Sequence, residues 1–81
     1  GENRVVRFDL PREIARFVAI KGSVTINGVS LTTNNVTDSW FDLNIVPFTL
    51  AHTNLSKLRP GANVNIEVDI VARYIDRLLS I

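Results

Sequence analysis

The chain has 81 residues, 46% of them hydrophobic, no cysteine and a formal net charge of +1. That length holds one small domain, the composition is that of a globular chain, and the absence of thiols excludes disulfides and thiolate-ligated metals. Basic and acidic residues interleave without a Lys/Arg cluster, which argues against a nucleic-acid surface. No apolar run approaches the ~20 residues of a membrane span.

The first element is a half-buried strand from Arg4 to Leu10, with Val6, Phe8 and Leu10 on one face and Val5, Arg7 and Asp9 on the other. Pro11 suits the first turn of a helix, and Ile14, Phe17 and Val18 follow at helical spacing. Gly22 is placed to end that helix in the left-handed region. A hairpin follows, turned by Asn27-Gly28, a pair that tolerates the positive φ of a type I′ turn. The turn predicts the register: Ile26 faces Val29, Thr25 faces Ser30, Val24 faces Leu31 and Ser23 faces Thr32. One face then carries Val24, Ile26, Val29 and Leu31, and the other four hydroxyls, Ser23, Thr25, Ser30 and Thr32.

Asn34 to Ser39 is expected to be a polar connection. Trp40 to Val46 alternates again, with Phe41, Leu43 and Ile45 on one side, and Pro47 interrupts the strand because it cannot donate to a ladder. Pro60-Gly61 is a turn. Val64 to Ile70 alternates cleanly, and a last helix is expected from about Val71 to Leu79, its apolar side formed by Val71, Tyr74, Ile75, Leu78 and Leu79. Four or five strands with short connections and one intervening helix predict a small, mostly β, antiparallel barrel.

The usual enzyme constellations are absent from the sequence. A single histidine, His52, offers neither a metal pair nor a Ser-His-Asp set, so no metal site is expected. Lys21 admits two roles, complementing a helix C-terminus or reaching an anionic or carbonyl-rich ligand. Asp69, beside the start of the last helix, is either its N-cap or a polar group for ligand hydroxyls. The proline in Ile45-Val46-Pro47-Phe48-Thr49-Leu50 is either an edge-strand kink or a device that frees backbone groups for the edge of a flat heterocycle.

Three blocks carry a resemblance. They are Lys21 to Thr32, Ile45 to Leu50 with Thr53-Asn54-Leu55, and Gly61 to Asp69 followed by Ala72-Arg73-Tyr74. In this order they are similar to the lumazine-binding repeat of the riboflavin synthases, and Ser30 with the Ala-Arg-Tyr helix resembles the second, C-terminal repeat. Two positions depart from the family pattern: Phe48 stands where a polar residue is frequent, and Ser56 where glycine is.

The resemblance implies a Greek-key barrel lacking its first strands, over residues 1–70, and a trimerisation helix over 71–81. It implies a cytoplasmic riboflavin synthase that converts two molecules of 6,7-dimethyl-8-ribityllumazine into riboflavin and 5-amino-6-ribitylamino-uracil, without cofactor or metal. Each site would form with the N-terminal repeat of a neighbouring chain in a homotrimer, so a piece of this size would be inactive alone. Ser30, Leu31 and Thr32 would line the ring site, and Ile45, Val46, Pro47, Phe48, Thr49 and Leu50 would present backbone and the Thr49 hydroxyl. Lys21 would reach a site on a neighbouring chain, and Ser30 and Asp69 are the candidates for catalytic groups. Two other readings are a non-catalytic lumazine or flavin binder on the same repeat, and a structural piece that only trimerises. No membrane or nucleic-acid partner is expected.

Overall fold

A computed structural model describes residues 3–80. Residues 1, 2 and 81, the outer ends of the two segments expected above, lie outside the described residues. The strands are β1 (Arg4–Asp9), β2 (Ser23–Ile26), β3 (Val29–Val36), β4 (Trp40–Ile45) and β5 (Ile66–Val68), with helices α1 (Pro47–His52) and α2 (Ile70–Leu79). The strands form one antiparallel sheet in the order β1-β4-β3-β2-β5. The sheet is barrel-like but open, with β1 and β5 as its edges.

The expected alternation builds the core. Phe8, Val24, Ile26, Phe41, Leu43 and Ile45 are buried from three different strands. Phe8 lies opposite Phe41, and their rings stack at 5.3 Å between centroids. Leu55, in the 3-10 turn Asn54–Lys57, is also buried. Thr53 starts that turn: its Oγ accepts from the Leu55 N–H and donates to the Thr49 carbonyl. The hairpin has the register that its turn predicts, with φ of 49° at Asn27 and 85° at Gly28. Asn27 also ties down the last strand, because its side-chain oxygen accepts from the Asn65 N–H at 2.8 Å while its own N–H donates to the Asn65 carbonyl.

Four local expectations need correction. The segment after Pro11 forms only a 3-10 turn, Ala15–Phe17, because Val18 turns extended (φ −110°, ψ 119°) and enters the core. The intervening helix comes later, as α1. The left-handed residue before the hairpin is Lys21, with φ 63°, and not Gly22. Asn34 to Val36 is strand, not connection: Thr33 pairs with Leu43 and Val36 with Phe41, so Asn34 and Asn35 together oppose Asp42 alone. That is a β-bulge, which bends the strand and lets β3 pair with β2 along one half and β4 along the other. Finally, β5 covers only Ile66–Val68 of the expected Val64 to Ile70 run, and α2 begins at Ile70.

Candidate functional site

The hairpin presents the expected polar face. Ser23, Ser30 and Thr32 are exposed, Thr25 is half-buried, and the Ser23 and Ser30 hydroxyls share a hydrogen bond at 3.3 Å. Leu31 is half-buried on the opposite face, against Val24. The neighbouring strand adds a group that the sequence pattern did not single out. Thr25 pairs with Ser30 on one side and Glu67 on the other, so Glu67, Thr25 and Ser30 lie in a row across three strands. No local signal in the sequence says which strand β5 will join; the Asn27–Asn65 link decides it.

Lys21 belongs to the same face. Alternation along β3 places Asn34 on the side of Ser30 and Thr32. Lys21 Nζ donates to Asn34 Oδ1 at 3.2 Å, which sets an ammonium at the end of the row Ser30, Thr32, Asn34. Asp69 follows Val68, whose partner is Val24, next to Ser23. Its carboxylate accepts from the Val71 N–H at 3.0 Å and caps α2, the first of its two expected roles.

The second block is partly reshaped. Ile45 ends β4 with its side chain in the core, so only its backbone can meet a ligand. Beyond it the chain does not continue as a kinked strand. Pro47 opens α1, where its missing N–H costs nothing, and the Leu50 N–H that a broken strand would have freed donates to the Val46 carbonyl. Val46 and Phe48 are exposed, and Pro47, Thr49 and Leu50 half-buried. Phe48 stacks on His52 at 4.1 Å between ring centroids, and the His52 Nδ1–H donates to the Phe48 carbonyl at 2.8 Å. His52 is thus a surface residue used within its own helix. Antiparallel pairing carries Ile45 toward the Leu31 end of β3, but among the described residues no hydrogen bond joins α1 to the hairpin.

A cleft of about 620 Å³ opens elsewhere, between β1 and the segment that leads into β5, lined by Arg4, Arg7, Arg59, Gly61 and Val64 among others. None of the candidate site residues lines it, and it separates the two open edges of the sheet. The hydroxyl face is instead an open surface, outside that cleft. Among the described residues no three of His, Cys, Asp and Glu stand close enough to hold a metal ion, and no helix is long and apolar enough to cross a membrane.

Comparison with known proteins points to one family. The chain is 51% identical to the riboflavin synthase of Photobacterium phosphoreum over 70 residues, which cover 86% of this chain and 32% of that protein. It is 41% identical over 78 residues to the riboflavin synthase of Mycobacterium tuberculosis H37Rv, covering 93% of this chain and 39% of that one. For the riboflavin synthase of Bacillus subtilis 168 the figures are 32% over 80 residues, 96% and 37%. The chain therefore spans 32% to 39% of the length of these relatives. The family model described as "Lumazine binding domain" matches residues 1–69, which takes in the hairpin, α1 and β5 through Asp69. The chain belongs to the lumazine-binding domain family.

Proposed function

We propose that this chain is the C-terminal lumazine-binding repeat of a riboflavin synthase, and that its hydroxyl face binds 6,7-dimethyl-8-ribityllumazine. The observation that carries this reading is the convergence of Ser30, Thr32 and the Lys21 ammonium on one exposed face, within a segment matched by the family. A ribityl chain offers hydroxyls and a pteridine offers ring nitrogens and carbonyls. Both need paired donors and acceptors, because each polar group buried unmatched costs about 1–3 kcal/mol.

In the proposed reaction a four-carbon unit passes from one lumazine to a second, giving riboflavin and 5-amino-6-ribitylamino-uracil. The difficult step is loss of a proton from a methyl group of one lumazine. The protein contributes chiefly by holding two rings in reacting geometry. Ser30 and Thr32 hold the ring, and the α1 segment from Ile45 to Leu50 supplies backbone and the Thr49 hydroxyl. Asp69 and Ser30 are the candidates to touch the reacting centre. A serine hydroxyl is a weak base unless assisted, so proton removal is assigned to neither alone.

An open face of this kind holds one substrate; the second belongs to the other repeat of a neighbouring chain. The apolar side of α2 suits such an assembly. Ile70, Val71, Tyr74, Ile75, Leu78 and Leu79 are each more than half exposed. A contiguous apolar strip of this kind marks an interaction surface, and we assign it to a homotrimer.

Fluorescence titration with 6,7-dimethyl-8-ribityllumazine tests the reading. Ser30→Ala is expected to weaken binding with the fold intact by circular dichroism, and unchanged affinity would sink the hydroxyl-face assignment. Turnover by a chain carrying both repeats separates a synthase from a non-catalytic lumazine binder.

A further inference from the structure

Lys21 has a backbone conformation that disfavours a side chain. Its φ is 63°, in the left-handed region, although a glycine follows it directly. A residue with a Cβ loses roughly 1–2 kcal/mol there. Gly22 answers a different need, since a Cβ at that position would stand 3.0 Å from the Ala19 carbonyl oxygen. The turn thus has glycine where the backbone is crowded and lysine where it is strained. Such strain persists only where the surroundings over-determine it.

Those surroundings are the turn's own bond, from the Gly22 N–H to the Ala19 carbonyl at 3.0 Å, and one residue of β3. Thr33 is only 1% exposed. Its Oγ donates to the Ala19 carbonyl and accepts from the Gly22 N–H at 3.1 Å. Its own carbonyl accepts from the Lys21 N–H at 3.2 Å, and its N–H donates to the Gly22 carbonyl at 2.9 Å. Residues 19, 21 and 22 are all bound to Thr33, and the ammonium that results is the one at Asn34.

The geometry points to Thr33 as the positioning residue for Lys21. By clamping the 19–22 turn, it holds the ammonium at the end of the hydroxyl row, where it meets a carbonyl oxygen of a heterocycle bound on this same face, not on the neighbouring chain that the resemblance implies. This deepens the proposed lumazine site and rests on it. Thr33 touches no ligand; it acts through Lys21.

Thr33→Val keeps the shape and removes the hydroxyl, and Thr33→Ser restores it. Two readouts are taken in the intact protein. The Lys21 Cα chemical shift reports the left-handed backbone without ligand, and lumazine fluorescence reports affinity. Thr33→Val is expected to move that shift and to weaken binding about tenfold, the scale of one lost charge-assisted hydrogen bond. Thr33→Ser is expected to do neither. Lys21→Ala should cost as much affinity as Thr33→Val, and the double variant no more than either. An unmoved Lys21 shift in Thr33→Val, or losses that add in full, would overturn the inference. Should Thr33→Val not fold, Lys21→Gly decides: relief of strain predicts a higher Tm with weaker binding, and a Tm that does not rise overturns the clamp. Wild-type protein that binds no lumazine refutes the proposed site instead, while the Lys21 shift still reads the clamp by itself.

Discussion

Replacement of Asp42 is expected to release the bend in β3. By alternation Asp42 lies between the inward Phe41 and Leu43, yet its residue is only 5% exposed. Its carboxylate accepts from the Asn35 N–H at 2.8 Å and from Asn35 Nδ2 at 3.3 Å, so it holds the bulged residue directly. A hydrogen bond to a charged acceptor contributes about 1.5–3 kcal/mol, and the longer second contact a further ~0.5 kcal/mol. These mutational values are already net of the cost of taking the carboxylate from water, so the lower part of the range is used for Asp42→Ala. The net loss is then about 2 kcal/mol. For a domain of this size each kcal/mol lowers Tm by roughly 4–8 °C, so Tm should fall by about 8–16 °C. Urea denaturation supplies the energy and its slope the check that the transition is unchanged in kind. The double variant Asn35→Ala with Asp42→Ala separates the two contacts, because only the side-chain contact is shared between the two single changes. A loss below about 0.5 kcal/mol for Asp42→Ala would be that of an ordinary surface residue, and would refute the role of Asp42 in holding the bulge.

Two further outcomes are expected. Asn27→Gly keeps a residue at ease with positive φ but removes the acceptor for the Asn65 N–H. Stability should fall by about 1 kcal/mol, with amide exchange at Asn65 accelerated more than in β3; equal exchange at Asn65 would show that the link does not hold β5. On α2, Leu78→Glu places a charge within the exposed apolar strip. If that strip is the trimer contact, sedimentation should shift from trimer to monomer with little loss of helix, and a trimer that survives would move the contact elsewhere.

Much of this molecule can be read locally. The hairpin register was legible because Asn27 and Gly28 determine it from within four residues. The inward set Phe41, Leu43 and Ile45 was legible from alternation alone. What failed was decided by distant contacts. Ile14, Phe17 and Val18 have helical spacing, but Val18 gains more from the core in extended form than from a further turn. The bulge at Asn34 and Asn35 depends on Asp42, seven residues beyond Asn35. Lys21 was recognisable as a ligand candidate, but its approach to the hydroxyl row depends on Thr33, twelve residues away, overriding the preference of glycine for positive φ. Pro47 reads equally well as a strand breaker or as the first residue of a helix, and here it is the latter.

The strand order has a consequence for how the molecule assembles. β2, β3 and β4 are consecutive in the chain and neighbours in the sheet, so they can pair through short loops. Both edges come from far away: Phe8 must find Phe41, and Glu67 must find Thr25. Closing such long loops costs entropy before any contact repays it, so these pairings should form late. Pulse-labelled amide exchange should therefore protect the Ser23–Ile26 hairpin amides before those of Ile66–Val68. The hydroxyls of the hairpin are then in place early, whereas Glu67 and Asp69 arrive with the last strand. The polar face is completed by the final folding step, and the groups nearest the β5 edge are the first that partial unfolding would remove.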